Sequence, residues 1–209
     1  MLKQESVLTK DLIKNQLREI LKTQRQTLSV QDQKKSSQAV FKIFLDSHYW
    51  QKNQNKIQTI AVYQAIQNEL SLEPFIKFFW ESNKKIYLPI LNPDPKIKVL
   101  KFSRYLPNTI FQNNIFGIPE PVSQEFLAPE NLDLVLTPLL CFDSQGHRLG
   151  MGGGYYDATF SQKSPKTDLI GCAYEFQEIN QLPVEPWDIQ LQGIVTEHFF
   201  IESYRLCQK

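Results

Sequence analysis

Cysteine is scarce in this chain of 209 residues, which holds only Cys141, Cys172 and Cys207. An odd set with no Cys-x-x-Cys spacing argues against a disulfide framework and a zinc knuckle. It fits buried thiols in a reducing compartment. Histidine is as sparse: His48, His147 and His198 are scattered, with neither metal-ligand nor triad spacing. Net charge is almost absent, +1 from 23 basic and 22 acidic residues. No overall field draws the chain to nucleic acid or an acidic membrane, so any anion site must be local. Long apolar runs are missing too. Stretches such as LDLVL and LLCF are far too short to span a bilayer, and the opening MLKQESVLTK has no signal-peptide core. The expectation is a cytoplasmic monomer whose partners are small molecules, with no nucleic acid and no membrane.

What is present alternates. Residues 9–29, TKDLIKNQLREILKTQRQTLS, read as an amphipathic helix with Ile13, Leu17, Ile20 and Leu21 at helical spacing and Thr9 as N-cap. Residues 29–50 read as a second helix with Val40, Ile43 and Phe44 on one face. IQTIAVY (57–63) is β-branched and apolar, a buried strand. A helix follows from about Ser71, with Pro74 tolerated in its first turn. KIYLPIL, IKVLKF, DLVLTPLLCF, LIGCAY and GIVTEHFF read as further strands, and YYDATFSQK as a helix. Residues 103–131 hold Pro107, Pro119, Pro121 and Pro129 with no regular period, and a connection that long usually covers a site. Strands alternating with helices predict an α/β fold, a three-layer α/β/α single domain with a mostly parallel sheet. The whole chain, 1–209, forms that domain, with N-terminal helices over about 9–48 and sheet and site over about 57–201.

Half of the 8 glycines fall within HRLGMGGGYYD, residues 147–157. In an open parallel sheet, ligands collect at the carboxyl ends of strands, and glycines let an anion approach exposed backbone N–H groups. The stretch is not a Walker loop, because no Gly-Lys-Ser/Thr follows. Nor does it carry the acidic ribose partner of a dinucleotide fingerprint about 20 residues on. By itself the run fits a tight strand-to-helix turn equally well. Arg148 adds a guanidinium that can pair bidentately with phosphate. Asp157 fits either charge compensation at a helix start or a Mg²⁺ ligand beside substrate phosphates. Tyr155 and Tyr156 fit either core packing or a platform for a flat ligand. Lys14 and Arg18, at i and i+4, share one helix face, either solvated or aimed at an anion. Glu69 suits a helix start, or recognition of adjacent N–H donors.

The ordered string PLLCFDSQGHRLGMGGGYYD (138–157) resembles the signature of the 5-formyltetrahydrofolate cyclo-ligases. KNQLR, VYQAIQNEL, GIPEP and LPVEPWD extend the resemblance along nearly the whole chain. The resemblance implies an ATP- and Mg²⁺-dependent ring closure of 5-formyltetrahydrofolate to 5,10-methenyltetrahydrofolate through a phosphorylated formyl group. It assigns Arg148 and Tyr155 to catalysis. ATP falls to Lys14, Arg18, Arg148, Leu149, Gly150, Met151, Gly152, Gly153, Gly154, Tyr155 and Tyr156. The folate falls to Gln64, Glu69 and the stretch from Met151 to Tyr155, with Phe116 stacking on it. Asp157 and Asp188 would share the Mg²⁺. Two positions depart from the pattern: Trp187 stands where many relatives carry His, and Met151 occupies a variable position.

Overall fold

Alternation along the strands decides which residues face which layer. The computed structural model describes residues 2–114, 117–122, 125–161 and 164–203, with the backbone alone for 2–9. It opens with three helices: α1 (Leu2–Gln26), α2 (Val30–Asp46) and α3 (His48–Asn53). α1 begins well before Thr9, so that residue lies inside the helix rather than capping it. The single helix expected over 29–50 is two. Ser47 is extended, and its hydroxyl accepts the Trp50 N–H at 3.2 Å, so it caps α3 and ends α2. Ser29 caps α2 in the same way, through the Asp32 N–H.

The remaining elements are β1 (Thr59–Ala61), α4 (Glu73–Glu81), β2 (Lys85–Ile90), β3 (Lys101–Tyr105), β4 (Phe111–Asn113), β5 (Pro119–Pro121), β6 (Phe126–Leu127), β7 (Leu134–Thr137), β8 (Cys141–Phe142), β9 (Arg148–Leu149), α5 (Tyr155–Phe160), β10 (Asp168–Cys172), β11 (Gly193–Val195) and β12 (Phe200–Glu202). The main sheet runs β12-β11-β10-β7-β1-β2-β3-β6. Its five central strands are parallel, and β12, β3 and β6 add antiparallel edges. Ile60, Leu134, Leu136, Ile170 and Val195 pack on one face, under α2, α3 and α4. Their neighbours Ala61, Val135, Leu169 and Ile194 pack on the other, where Phe160 of α5 lies. Period-two alternation with both faces apolar is what a parallel sheet between helical layers demands. The α/β/α architecture is therefore as expected.

Several expected boundaries move. The IKVLKF strand starts only at Lys101, because Asp94 accepts the Lys96 and Ile97 N–H groups and turns the chain. Ile97 and Val99 are left exposed. DLVLTPLLCF is two strands, β7 and β8, parted at Pro138, which has no N–H to donate. GIVTEHFF is also two, β11 and β12, because the Thr196 hydroxyl accepts the His198 and Phe199 N–H groups and reverses the chain. The segment 103–131 is not irregular throughout. β4 and β5 form a hairpin, and the bonded pairs at Ile110–Val122 and Asn114–Ile118 leave Pro119 and Pro121 where no N–H is needed. Of the apolar stripe expected on α1, Leu17 and Leu21 pack, against Cys141, Leu149 and Leu182. Ile13 and Ile20 are exposed, because α1 leans on the β8–β9 hairpin rather than on the broad sheet.

Cys141 and Cys172 are free and buried, as expected, and burial pushes the Cys141 thiol up to about 12. Cys207 lies outside the described residues. Among the described residues no helix is long and apolar enough to cross a membrane.

One glycine fixes the hairpin that carries Arg148. Gly146 has φ +84°, and a Cβ there would press on the Ser203 side chain and sit 2.9 Å from the Leu191 carbonyl oxygen. Gly146→Ala is expected to cost about 2–4 kcal/mol, combining left-handed backbone strain with overpacking. Urea unfolding checks it; a change below about 0.5 kcal/mol would mean that the hairpin relaxes freely.

Candidate active site

The β8–β9 hairpin is held from inside. The Asp143 carboxylate is fully buried and accepts the Gln145, His147 and Leu182 N–H groups at 3.0–3.1 Å. The His147 ring adds a fourth contact at 3.0 Å, so His147 is a satisfied structural histidine. Beyond β9 the chain runs through Gly150, Met151, Gly152, Gly153 and Gly154 into α5. Gly152 (φ +96°) and Gly154 (φ +71°) take left-handed conformations that a side chain would strain. Arg18 of α1 fills the space over this turn. A Cβ on Gly152 would lie 3.4 Å from the guanidinium carbon, and Arg18 Nε donates to the Gly150 carbonyl at 3.1 Å.

Arg148 sits 5% exposed. Its Nη2 donates to Asp157 Oδ1 at 2.8 Å and its Nη1 to the Ile189 carbonyl at 2.6 Å. Asp157 Oδ1 also accepts the Ile189 N–H at 3.1 Å. Asp188, one residue earlier, accepts Lys14 Nζ at 3.0 Å and the Glu185 N–H at 2.9 Å, both on Oδ2. Lys14, Arg148, Asp157 and Asp188 thus tie α1, β9, α5 and the 185–189 loop into one charged cluster. Among the described residues, the hydrogen bonds to the two carboxylates fall on one oxygen of each. No group of three or more His, Cys, Asp or Glu gathers as a metal cage among the described residues. Two carboxylates beside a phosphate are what Mg²⁺ ordinarily takes, so the donor set fits that ion.

Glu69 lies in the loop between β1 and α4, closing a turn where Gln67 (φ 48°) and Asn68 (φ 60°) are left-handed. It is 8% exposed, its Oε2 accepts the Ile66 N–H at 3.2 Å, and Arg25 Nη1 stands 3.7 Å from Oε1. Burial raises the Glu69 carboxyl above its ordinary range, while the Ile66 N–H and the Arg25 charge pull it back. Tyr63 and Tyr156 flank it, their hydroxyls kept neutral by burial.

The glycine turn, the charged cluster and Glu69 open onto one cleft of about 1230 Å³. That exceeds the usual volume of a pocket for one drug-sized ligand and suits two substrates side by side. Every described residue expected in the site lines it: Lys14, Arg18, Gln64, Glu69, the run from Arg148 to Asp157, and Asp188. Tyr155 and Tyr156, the first residues of α5, line the cleft and pack against the core, so the packing foreseen for them is present. The β4–β5 hairpin forms a further wall through Asn114 and Glu120, and the Glu120 carboxylate fixes it by accepting the Leu91 N–H and the Asn114 amide, both at 2.8 Å. Phe116 lies outside the described residues. Trp187 is 68% exposed at the rim.

The sequence reading missed Arg25. Its signal was available: Lys14, Arg18 and Arg25 fall four and seven residues apart on α1, and so share a face.

The family model for 5-formyltetrahydrofolate cyclo-ligases matches residues 11–197. A Haemophilus influenzae protein named 5-formyltetrahydrofolate cyclo-ligase is 42% identical over 145 residues, covering 68% of this chain and 77% of its own. An Escherichia coli protein of the same name is 40% identical over 141 residues, covering 66% and 77%. The solved structure of Aquifex aeolicus 5,10-methenyltetrahydrofolate synthetase superposes with a TM-score of 0.77 at 29% identity, covering 92% of this chain and 93% of that one. The corresponding Mycoplasma pneumoniae synthetase gives 0.70 at 26% identity, covering 88% and 99%. The family match spans the glycine turn, the charged cluster around it and the Glu69 loop alike, and on that ground the chain is an enzyme belonging to the 5-formyltetrahydrofolate cyclo-ligase family.

Proposed function

We propose that this chain, with Mg²⁺ as cofactor, converts 5-formyltetrahydrofolate and ATP into 5,10-methenyltetrahydrofolate, ADP and phosphate, in the cytoplasm and as a monomer. The observation that carries the reading is convergence: a cationic glycine turn and a buried carboxylate share one cleft roomy enough for both substrates. A formyl amide oxygen is a poor leaving group, and phosphorylation makes it a good one. The formyl oxygen attacks the γ-phosphorus, the bond to the β,γ-bridging oxygen breaks, and ADP departs. The second folate nitrogen then attacks the activated carbon, the C–O bond to phosphate breaks, and that nitrogen gives up its proton as the ring closes.

Phosphoryl transfer of this kind needs positioning and charge neutralisation more than a protein nucleophile, which suits a cleft rich in Arg, Lys and bare backbone. Lys14, Arg18 and the N–H groups from Leu149 to Tyr156 bind and align the triphosphate. Arg148 has five N–H donors, and the protein occupies two of them. The remaining donors meet charge on the transferring phosphoryl group, and the Tyr155 hydroxyl meets it from the α5 side. Asp157 and Asp188 would hold Mg²⁺, whose charge would neutralise the phosphate oxygens. Glu69 and Gln64 orient the pterin, the carboxylate accepting its adjacent N–H donors. Met151 to Tyr155 border both substrates.

The test is optical. Protein mixed with ATP, Mg²⁺ and 5-formyltetrahydrofolate is expected to produce the near-ultraviolet band of the methenyl product. No band, or a band indifferent to ATP, would overturn the proposal.

A further inference from the structure

Behind Glu69 lies a group that the cleft chemistry leaves unexplained. Arg25, in the last turn of α1, is 1% exposed, and its Nε and Nη1 have no hydrogen-bond partner among the described residues. A guanidinium does not shed its proton, and burying it is unfavourable unless an anion faces it. The anion facing it is Glu69, 3.7 Å away. The two segments are tied a second time, because the Asn68 side-chain amide donates to the Arg25 carbonyl at 3.2 Å. The other titratable groups around Glu69 are Tyr63 after β1, Tyr156 on α5 and Tyr174 after β10, all neutral and pushed upward by burial. Arg25 is thus the cation assigned to this carboxylate among the described residues.

We propose that Arg25 is a positioning residue, which holds the Glu69 carboxylate ionised and turned into the cleft to receive the folate. The inference rests on the reading of Glu69 as the pterin's acceptor. It gives α1 two tasks. Lys14 and Arg18 serve the nucleotide end of the cleft, and Arg25, about 10 Å further along the helix axis, serves the folate end through Glu69. Burial alone favours a protonated Glu69, which could not accept from two adjacent donors. Arg25 opposes that, as does the Ile66 N–H.

The experiment measures 5-formyltetrahydrofolate binding by calorimetry without ATP, across pH, in the full chain. An opposite charge at this distance typically lowers a carboxyl by one to three pH units. Arg25→Gln is therefore expected to move the acid-side loss of folate binding upward by about one pH unit, while the KM for ATP stays within about twofold. Arg25→Lys, which restores the charge, is expected to return the acid limb toward its original position. Glu69→Gln is expected to abolish this limb.

If Glu69→Gln binds folate as the unaltered chain does at every pH, the reading of Glu69 itself fails. If Glu69→Gln loses folate but Arg25→Gln leaves the limb in place, only the role of Arg25 is overturned. Should Arg25→Gln not fold alone, the double variant Arg25→Gln/Glu69→Gln removes the buried charges together. It is expected to fold and to match Glu69→Gln in folate affinity. A further tenfold loss, or failure to fold, overturns the proposal.

Discussion

Arg148→Ala is expected to lower kcat/KM for ring closure by about 100- to 1000-fold, roughly 3–4 kcal/mol, the scale for losing one preorganised donor at a developing charge. The geometry gives the reason. The guanidinium is 5% exposed, so little water can replace it, and two protein acceptors set its plane before any substrate arrives. The same substitution leaves the Ile189 carbonyl without its Arg148 donor and Asp157 without its cation, so some stability is lost as well. Melting curves separate the two effects, because the activity deficit should persist at temperatures where the variant is fully folded. Arg148→Lys is expected to recover only part of the rate, since an ammonium restores charge without the planar fork. A loss under tenfold in Arg148→Ala would remove Arg148 from the mechanism.

The parallel core of the sheet was legible because its strands obey a short local rule. β7 and β10 are nearly continuous apolar runs, and Leu134–Thr137 is buried at every position. What escaped were reversals written in single polar side chains. Ser47, Asp94 and Thr196 each turn the chain by accepting one or two backbone N–H groups, and apolar periodicity is blind to them. The β4–β5 hairpin escaped for another reason. Its prolines read as breaks, yet they occupy positions where an antiparallel ladder asks for no donor.

The site divides similarly. Local chemistry in 148–157 named one wall, and the resemblance brought in Lys14, Arg18, Glu69 and Asp188 from distant segments. No spacing along the chain could announce that Lys14 meets Asp188 across 174 positions. Arg25 was overlooked because a basic residue late in a helix already has an ordinary explanation in the helix dipole. Its meaning came only with its burial and with Glu69 facing it.

Asp157→Asn and Asp188→Asn are each expected to raise the Mg²⁺ concentration for half-maximal rate by on the order of 10–100-fold, a range reached even when outer partners of a metal ligand are removed. The two variants should then part company. In Asp157→Asn the amide oxygen can still accept from Arg148 and from the Ile189 N–H, so the charged cluster keeps its shape and the KM for ATP at saturating Mg²⁺ should change little. In Asp188→Asn the Lys14 ammonium loses its counter-ion. Freed toward the phosphates, it should hold ATP more tightly in the absence of metal, even as the Mg²⁺ requirement rises. Nucleotide binding measured with and without Mg²⁺ distinguishes the cases. An unchanged metal titration in both variants would return Asp157 to compensating a helix start and Asp188 to restraining Lys14, and would leave Mg²⁺ to the nucleotide alone.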